Sequence, residues 1–267
     1  MMSNLLELRG VRKAFGRSEV LNGVSLSVRR GEALGIVGPS GTGKSTVLRL
    51  LAGLAVPDEG SVLVQGQSRP GCGLLSDRSE QADETAEAVR VGMVFQSAAL
   101  FDSLTVEQNV GFTLLEKSVL PRADIRAAVQ DVLSAVGLDG CADMMPDELS
   151  GGMRKRVALA RAIMPEPDEH EDEHEGVLYD EVTAGLDPVA STAIENLMRD
   201  IHSSRSRVSS YVVVTHQLST LRRAVDRILF LHKGEIVWEG TSAEFDNASD
   251  PLVRQFARGD LEGPLGW

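Results

Sequence analysis

The chain has 267 residues, 42% of them hydrophobic and 25% charged, an ordinary composition for one large folded domain or two small ones that excludes disordered, collagen-like and fibrous architectures. Lys and Arg number 27 against 39 Asp and Glu, and the net charge of −12 is the wrong sign for a protein whose main work is gripping a polyanion, so no nucleic-acid partner is expected. Cys72 and Cys141, far apart and without metal-type spacing, exclude a disulfide scaffold, and no apolar run approaches the ~18 residues of a membrane span, so a soluble chain without a signal or transit peptide is expected.

Short apolar runs alternating with helical periods predict an α/β fold with a largely parallel sheet. Three antiparallel segments open it, Leu5 to Gly10, Ser25 to Val28 and Ser61 to Gln65. Between the second and third, Ala33 to Val37 reads as a buried strand running into a glycine-rich turn and then a helix over Ser45 to Leu54, ended by Pro57-Asp58-Glu59-Gly60. Gly71 to Arg90 is polar with little apolar pattern and reads as an inserted surface loop, after which Val91 to Phe95 resumes the sheet. From Thr105 to about Ile163 the spacing is helical, with Ile125, Val129, Val132, Leu133 and Val136 on one face and Gly137 closing that helix. Glu166 to Glu175 places His170 and His174 in a run of acids; without apolar residues to fix ligands it reads as a solvated loop rather than a metal site. That run alone holds seven acids, so most of the net negative charge belongs to one loop. Val177 to Tyr179 and Tyr211 to Thr215 are two more core strands.

Gly38-Pro39-Ser40-Gly41-Thr42-Gly43-Lys44-Ser45, followed by Thr46, matches G-x-x-x-x-G-K-[ST] and lies between a buried strand and a helix N-terminus, where a phosphate-binding loop must lie. Glycines let the backbone turn its N–H groups onto phosphates, Lys44 reaches the β and γ phosphates, and Ser45 offers a hydroxyl to Mg²⁺. Val177 to Tyr179 ends in Asp180 and Glu181, which suits one carboxylate on the metal, Asp180, and a second, Glu181, polarising the attacking water. Leu149-Ser150-Gly151-Gly152-Met153 precedes Arg154-Lys155-Arg156 and a helix over Val157 to Ile163. Ser150 reads as its N-cap, and the two glycines would let the helix N-terminus approach a bulky anion.

Taken together these motifs resemble those of the ABC ATPases, whose LSGGQ signature is matched here with Met153 where Gln is commoner. The resemblance extends to Phe15 as the aromatic that stacks on adenine, Gln96 as the Q-loop glutamine, Ala184-Gly185-Leu186-Asp187 as the D-loop and His216 as the switch histidine. It implies a P-loop NTPase core of RecA type with an N-terminal antiparallel β-subdomain and an inserted α-helical subdomain: core at 1–96 and 164–240, helices at 97–163 and a C-terminal tail at 241–267. It also implies ATP with Mg²⁺ held by Ser45, Gln96 and Asp180, and catalysis by Glu181, His216 and Lys44. Two copies would sandwich the nucleotide, with Ser150, Gly151 and Gly152 of one reaching the γ-phosphate bound by Lys44 of the other, and Asp187 at the junction. Val182 stands where family members usually carry Pro after the catalytic Glu.

Phe95 to Val106 and the signature resemble the ATPases of MCE-type lipid transporters, including bacterial Mla systems. Ser209 to Gln217, Arg223 to Arg227, Ile236 to Trp238 and Gln255 to Pro264 are similar to the ATPases of chloroplast trigalactosyldiacylglycerol-type lipid importers. The likeness implies an ATP-hydrolysing subunit for glycerolipid-precursor import, docked on integral-membrane permease subunits beside an MCE-domain lipid-binding subunit. It would sit on the stromal face of the chloroplast inner envelope, or on the cytoplasmic face of a bacterial inner membrane. The apolar stretch with Phe101 and Leu104 is a reasonable groove for a permease helix. A soluble ABC ATPase of DNA repair or protein assembly is the competing reading; the acidic charge and the lack of a long coiled-coil insert count against it.

Overall fold

Alternating apolar residues make the N-terminal segment a long hairpin, β1 (Asn4–Phe15) with β2 (Ser18–Arg29), in which Leu6 pairs with Val28 and Leu8 with Leu26. The computed structural model describes residues 4–68, 91–165, 175–203 and 208–265. The loop expected over Gly71 to Arg90, with Cys72, and nearly all of the acidic run Glu166 to Glu175 lie outside the described residues.

After the hairpin, β3 (Ala33–Val37) is buried at every residue and leads through the glycine-rich turn into α1 (Lys44–Leu51). Two further antiparallel strands follow, β4 (Glu59–Val64) and β5 (Gln67–Ser68), then β6 (Val91–Val94). A helical stretch comes next: α2 (Val106–Val110), α3 (Phe112–Lys117), α4 (Arg122–Ala135) and α5 (Gly151–Ile163). The chain then alternates β7 (Glu175–Asp180), α6 (Pro188–Ser203), β8 (Val208–Val214), α7 (Leu218–Ala224) and β9 (Arg227–His232), and closes with β10 (Glu235–Thr241), α8 (Ser242–Asp246) and α9 (Pro251–Arg258).

The strands form an antiparallel sheet ordered β2-β1-β4-β5 and a second sheet ordered β10-β9-β3-β8-β7-β6, in which every pairing except β10 with β9 is parallel. A parallel strand buried on both faces divides its side chains between two cores. Leu34, Ile36, Leu178, Val212, Val214, Leu229 and Leu231 point toward α1 and the antiparallel sheet. Val37, Val177, Tyr179, Tyr211, Val213, Ile228 and Phe230 face the layer of α5 and α6. The glycine-rich turn therefore sits between two packed layers, at the carboxyl ends of the parallel strands, where open α/β sheets bind ligands.

The observed α/β fold keeps the expected strands but lengthens the first ones, and β9 and β10 join the sheet although the periodicity reading did not single them out. The helix expected over Ser45 to Leu54 closes at Leu51. Gly53 turns to φ +73°, and the N–H groups of Leu54 and Ala55 fold back onto Arg49 O, so the last turn is a glycine cap rather than another helical turn. On α4, Ile125, Val129 and Leu133 are buried and Gly137 at φ +69° follows its end, while Val132 is half-buried. Among the described residues no helix is long and apolar enough to cross a membrane.

One buried ion pair joins the corner where β2, β3 and β9 meet. Arg227 Nε and Nη2 donate to the two Glu32 oxygens at 2.6 and 2.9 Å, and Glu32 also accepts the Arg29 N–H at 2.8 Å. Arg227 Nη1 also donates to the half-exposed Glu239 at 2.7 Å, so removing Glu32 takes away the buried part of the charge compensation rather than all of it, and Glu32→Ala is expected to cost ~3 kcal/mol. That should lower Tm by roughly 5–10 °C, and a thermal unfolding curve coincident with the parent would contradict this reading of the corner.

Candidate functional site

The glycine-rich turn is shaped by two positions where a side chain has no room. A Cβ at Gly38 (φ +152°) would stand 2.0 Å from Leu231 O at the end of β9, and one at Gly43 (φ +101°) would stand 2.7 Å from Leu21 Cδ2. At Gly41 (φ +78°) nothing lies within 4 Å of such a carbon. The turn is thus pressed from behind by β9 and β2 and open in front. Ser40 and Gly41 are exposed on that open side, and Thr42 Oγ1 donates to Pro39 O at 2.9 Å.

Lys44 is only 7% exposed and its ammonium donates to Gly38 O and Pro39 O at 2.9 and 2.8 Å, which holds the loop curled over it. Burial pushes its pKa down, and the carboxylates of Glu181 and Asp180 oppose that shift. Gly43 supplies no side-chain cap to α1, so the N–H groups of the first turn face the open side of the loop, an arrangement suited to phosphate. Thr46, the next residue of the motif, is buried on α1.

Beside the lysine, Ser45 Oγ donates to Asp180 Oδ1 at 3.0 Å. Asp180 closes β7 and is nearly buried; that burial raises its pKa above the usual carboxylate range. Two hard oxygens so placed fit Mg²⁺, which is normally held by one or two protein oxygens together with substrate phosphates. Among the described residues no group of three or more His, Cys, Asp or Glu side chains is placed to hold a metal alone. Glu181 follows in a left-handed conformation, φ +47°, with its N–H on Val214 O. Its Oε2 lies 3.2 Å from His216 Nδ1, and the His216 ring is otherwise largely exposed.

Lys44, Ser45, Asp180, Glu181 and His216 therefore converge from the ends of β3, β7 and β8. The remaining sequence-predicted residues stand around them. Phe15, 53% exposed at the end of β1, has the Lys13 ammonium 5.5 Å from its ring centre. Gln96 is exposed in the loop after β6, and its backbone carbonyl accepts the Lys155 ammonium. Ser150 caps α5 by accepting Met153 N–H at 3.3 Å. Gly151 and Gly152 present their open faces to Leu186 and Ala190 rather than to the turn at 38–45. Asp187 is engaged as a helix cap, its Oδ1 accepting the N–H groups of Val189 and Ala190 at 2.9 Å each. Val182 is buried in the core.

Two basic residues of α5 join the site without having been expected there. Lys155 is 7% exposed; burial lowers its pKa, and Asp180 and Glu181 oppose that shift. Arg161 donates through Nη1 and Nη2 to Ala99 O and Ala98 O at 2.8 and 3.0 Å, holding two consecutive alanines in left-handed conformations. In sequence Lys155 is the middle of a basic triplet. The signal that separates it from Arg154 and Arg156 is its helical phase with Leu159 and Ala162, both buried.

The family model described as "ABC transporter" matches residues 21–169. The chain is 50% identical over 268 residues to the Arabidopsis thaliana protein TRIGALACTOSYLDIACYLGLYCEROL 3, chloroplastic, covering 98% of this chain and 75% of that protein. It is 36% identical over 264 residues to the Escherichia coli K12 intermembrane phospholipid transport system ATP-binding protein MlaF, covering 99% of this chain and 92% of MlaF. A solved dimeric structure of the ATP-binding cassette MJ0796, in a post-hydrolysis state bound to ADP and phosphate, superposes with a TM-score of 0.72 at 28% identity, over 89% of this chain and 98% of that one.

The glycine contacts predict unequal effects of one small substitution. Gly41→Ala is expected to lose only the ~1–2 kcal/mol of a left-handed alanine and to weaken nucleotide binding. Gly38→Ala, blocked by Leu231 O, should lower Tm further and abolish binding of a fluorescent ATP analogue. Equal Tm losses at the two positions would contradict the observed packing.

Proposed function

This chain belongs to the ABC transporter ATPases, and from that premise we propose that it is the ATP-hydrolysing subunit of a membrane lipid transporter that imports phospholipid or glycerolipid precursors. The carrying observation for the chemistry is the 3.2 Å contact of Glu181 with His216 beside the Ser45–Asp180 pair and the buried Lys44. The lipid assignment is supported by the 50% and 36% identities to proteins named for lipid transport.

In this reading Lys44 and the first-turn N–H groups of α1 hold the β and γ phosphates, and Phe15 offers a face for the adenine. Thr46 and the loop residues Gly38 to Gly43 shape that cradle. Ser45 and Asp180, with Gln96, would hold Mg²⁺, which when bound neutralises charge on the transferred phosphoryl group. Glu181 accepts the proton of an attacking water as the water oxygen bonds to the γ phosphorus and the bond to the β–γ bridging oxygen breaks. His216 keeps that carboxylate oriented and stabilises charge on the departing phosphoryl oxygens, a role whose loss typically costs ~10²–10³ in rate. A second copy would present Ser150, Gly151 and Gly152 to the same nucleotide, with Asp187 at the junction; the dimeric cassette to which the chain is similar supports this arrangement.

The partners proposed are integral permease subunits and an MCE-domain lipid-binding subunit, with the chain peripheral on the stromal face of the chloroplast inner envelope or on the matching face of a bacterial inner membrane. Phe101 and Phe112, ring centres 4.9 Å apart and both exposed, support a docking face for a permease helix beside the Gln96 loop.

Glu181→Gln is expected to bind MgATP and hold it in a dimer while turnover falls by at least ~10², and Lys44→Ala to lose nucleotide binding. Parental turnover in Glu181→Gln would refute the assignment of the base. Purification of the native complex in mild detergent should recover an integral permease and bound lipid, identified by mass spectrometry. Recovery of nucleic acid or a soluble scaffold without a permease would refute the transport reading.

A further inference from the structure

Outside the groups that would touch nucleotide, a buried carboxylate other than the ion-paired Glu32 has no place in that chemistry. Glu195, on α6, is 1% exposed, and a carboxylate so enclosed persists only when it is bonded. Thr220 Oγ1 on α7 donates to Glu195 Oε1 at 2.6 Å, and Arg223 Nη1, which donates to Thr192 Oγ1 at 2.8 Å, lies 3.8 Å from Glu195 Oε2. Thr220 Oγ1 in turn stands 3.5 Å from Thr183 Oγ1, and all three residues are at least 99% buried.

Thr183 lies two positions after Glu181, and Thr220 four positions after His216. The same two segments are tied again by Gln217 Nε2, which donates to Thr183 O at 3.4 Å, while Gln217 N–H bonds back to Thr215 Oγ1 at 3.0 Å around His216. Glu181 itself sits at φ +47°, a backbone conformation that a glutamate keeps only where its surroundings impose it. Because Thr220 gives its single proton to Glu195, its oxygen can only accept from Thr183. An apolar trio of similar volume would pack here as well, but it would not set the relative position of the two segments.

We propose that Glu195, Thr220 and Thr183 form a buried positioning device that fixes the segment carrying Glu181 against the segment carrying His216, and so sets the geometry of the hydrolytic pair without touching nucleotide. This rests on the ATPase reading of the site. Loss of the tie leaves the turn at 38–45 and Lys44 intact, so it acts on turnover and not on nucleotide affinity.

The test uses the full chain, with ATP turnover and MgATP affinity measured separately and thermal unfolding as a folding control. Thr220→Val, which keeps volume and removes the hydroxyl, is expected to lower kcat on the order of 10- to 100-fold with Kd for MgATP unchanged, and Thr220→Ser to restore parental kcat. If Thr220→Val does not fold, Thr183→Val is measured for the same split. Parental kcat in the folded variant, a parallel loss of affinity, or failure of Thr220→Ser to restore turnover overturns the proposal. Glu181→Gln is run beside it: if that variant still hydrolyses ATP the site reading itself fails. If it is inactive while Thr220→Val turns over at the parental rate, only the positioning device fails.

Discussion

Lys44 carries an ammonium group into a region almost closed to water, and the surrounding structure is arranged to meet the cost of that burial. Two backbone carbonyls of its own loop accept its protons, which curls the turn over the side chain. Asp180 and Glu181 supply the opposing charge, and they can do so only because β7 lies next to β8 and β8 next to β3 in the parallel sheet. The carboxyl ends of those strands, and the loops that leave them, are thereby brought to one place. Ser45, Asp180, Glu181 and His216 meet there because the sheet order puts them there, although 171 positions separate Ser45 from His216 in sequence.

The glycines of the turn are the other side of the same constraint. β9 presses Leu231 O so close to Gly38 that no side chain fits, and the hairpin does the same at Gly43. Gly41, by contrast, faces open space where a bound phosphate would stand. The two glycines that the G-x-x-x-x-G-K-S pattern fixes, Gly38 and Gly43, thus answer to packing inside the protein, while Gly41, at one of the pattern's open positions, faces open space.

Helix α5 binds the helical stretch to this centre. Its N-terminus carries Ser150 to Gly152, its middle sends Lys155 to the carbonyl of Gln96, and its end sends Arg161 to Ala98 and Ala99. One rigid element therefore touches the loop after β6 at several points. Tyr211, on the opposite face of the sheet from α1, is locked by its bond to Ala224 O and by edge contacts with Tyr179 and His202. β8 is in this way tied to the C-terminal end of α7, and His216 lies in the segment between them.

By itself the sequence determined the class of fold, the glycine-rich turn between strand and helix, and the acidic pair, lysine and serine that stand around it. Local rules suffice for these: a buried strand running into glycines and a lysine, an apolar strand ending in two acids, and a serine placed to cap a helix. It also marked the helical face of Ile125, Val129 and Leu133. Where it went astray was at boundaries and long-range ties. The end of α1 turns on the left-handed geometry of Gly53, and the strand role of Arg227–His232 depends on its pairing with β3. Tertiary structure alone decided that Lys155 reaches the carbonyl of Gln96, that Asp187 serves as a helix cap, and that Glu195 reaches Thr220 and Thr183. Each of these depends on which strand lies beside which and on the rotation of one helix against another. Those relations join residues far apart in the chain, and no periodicity within a single segment encodes them.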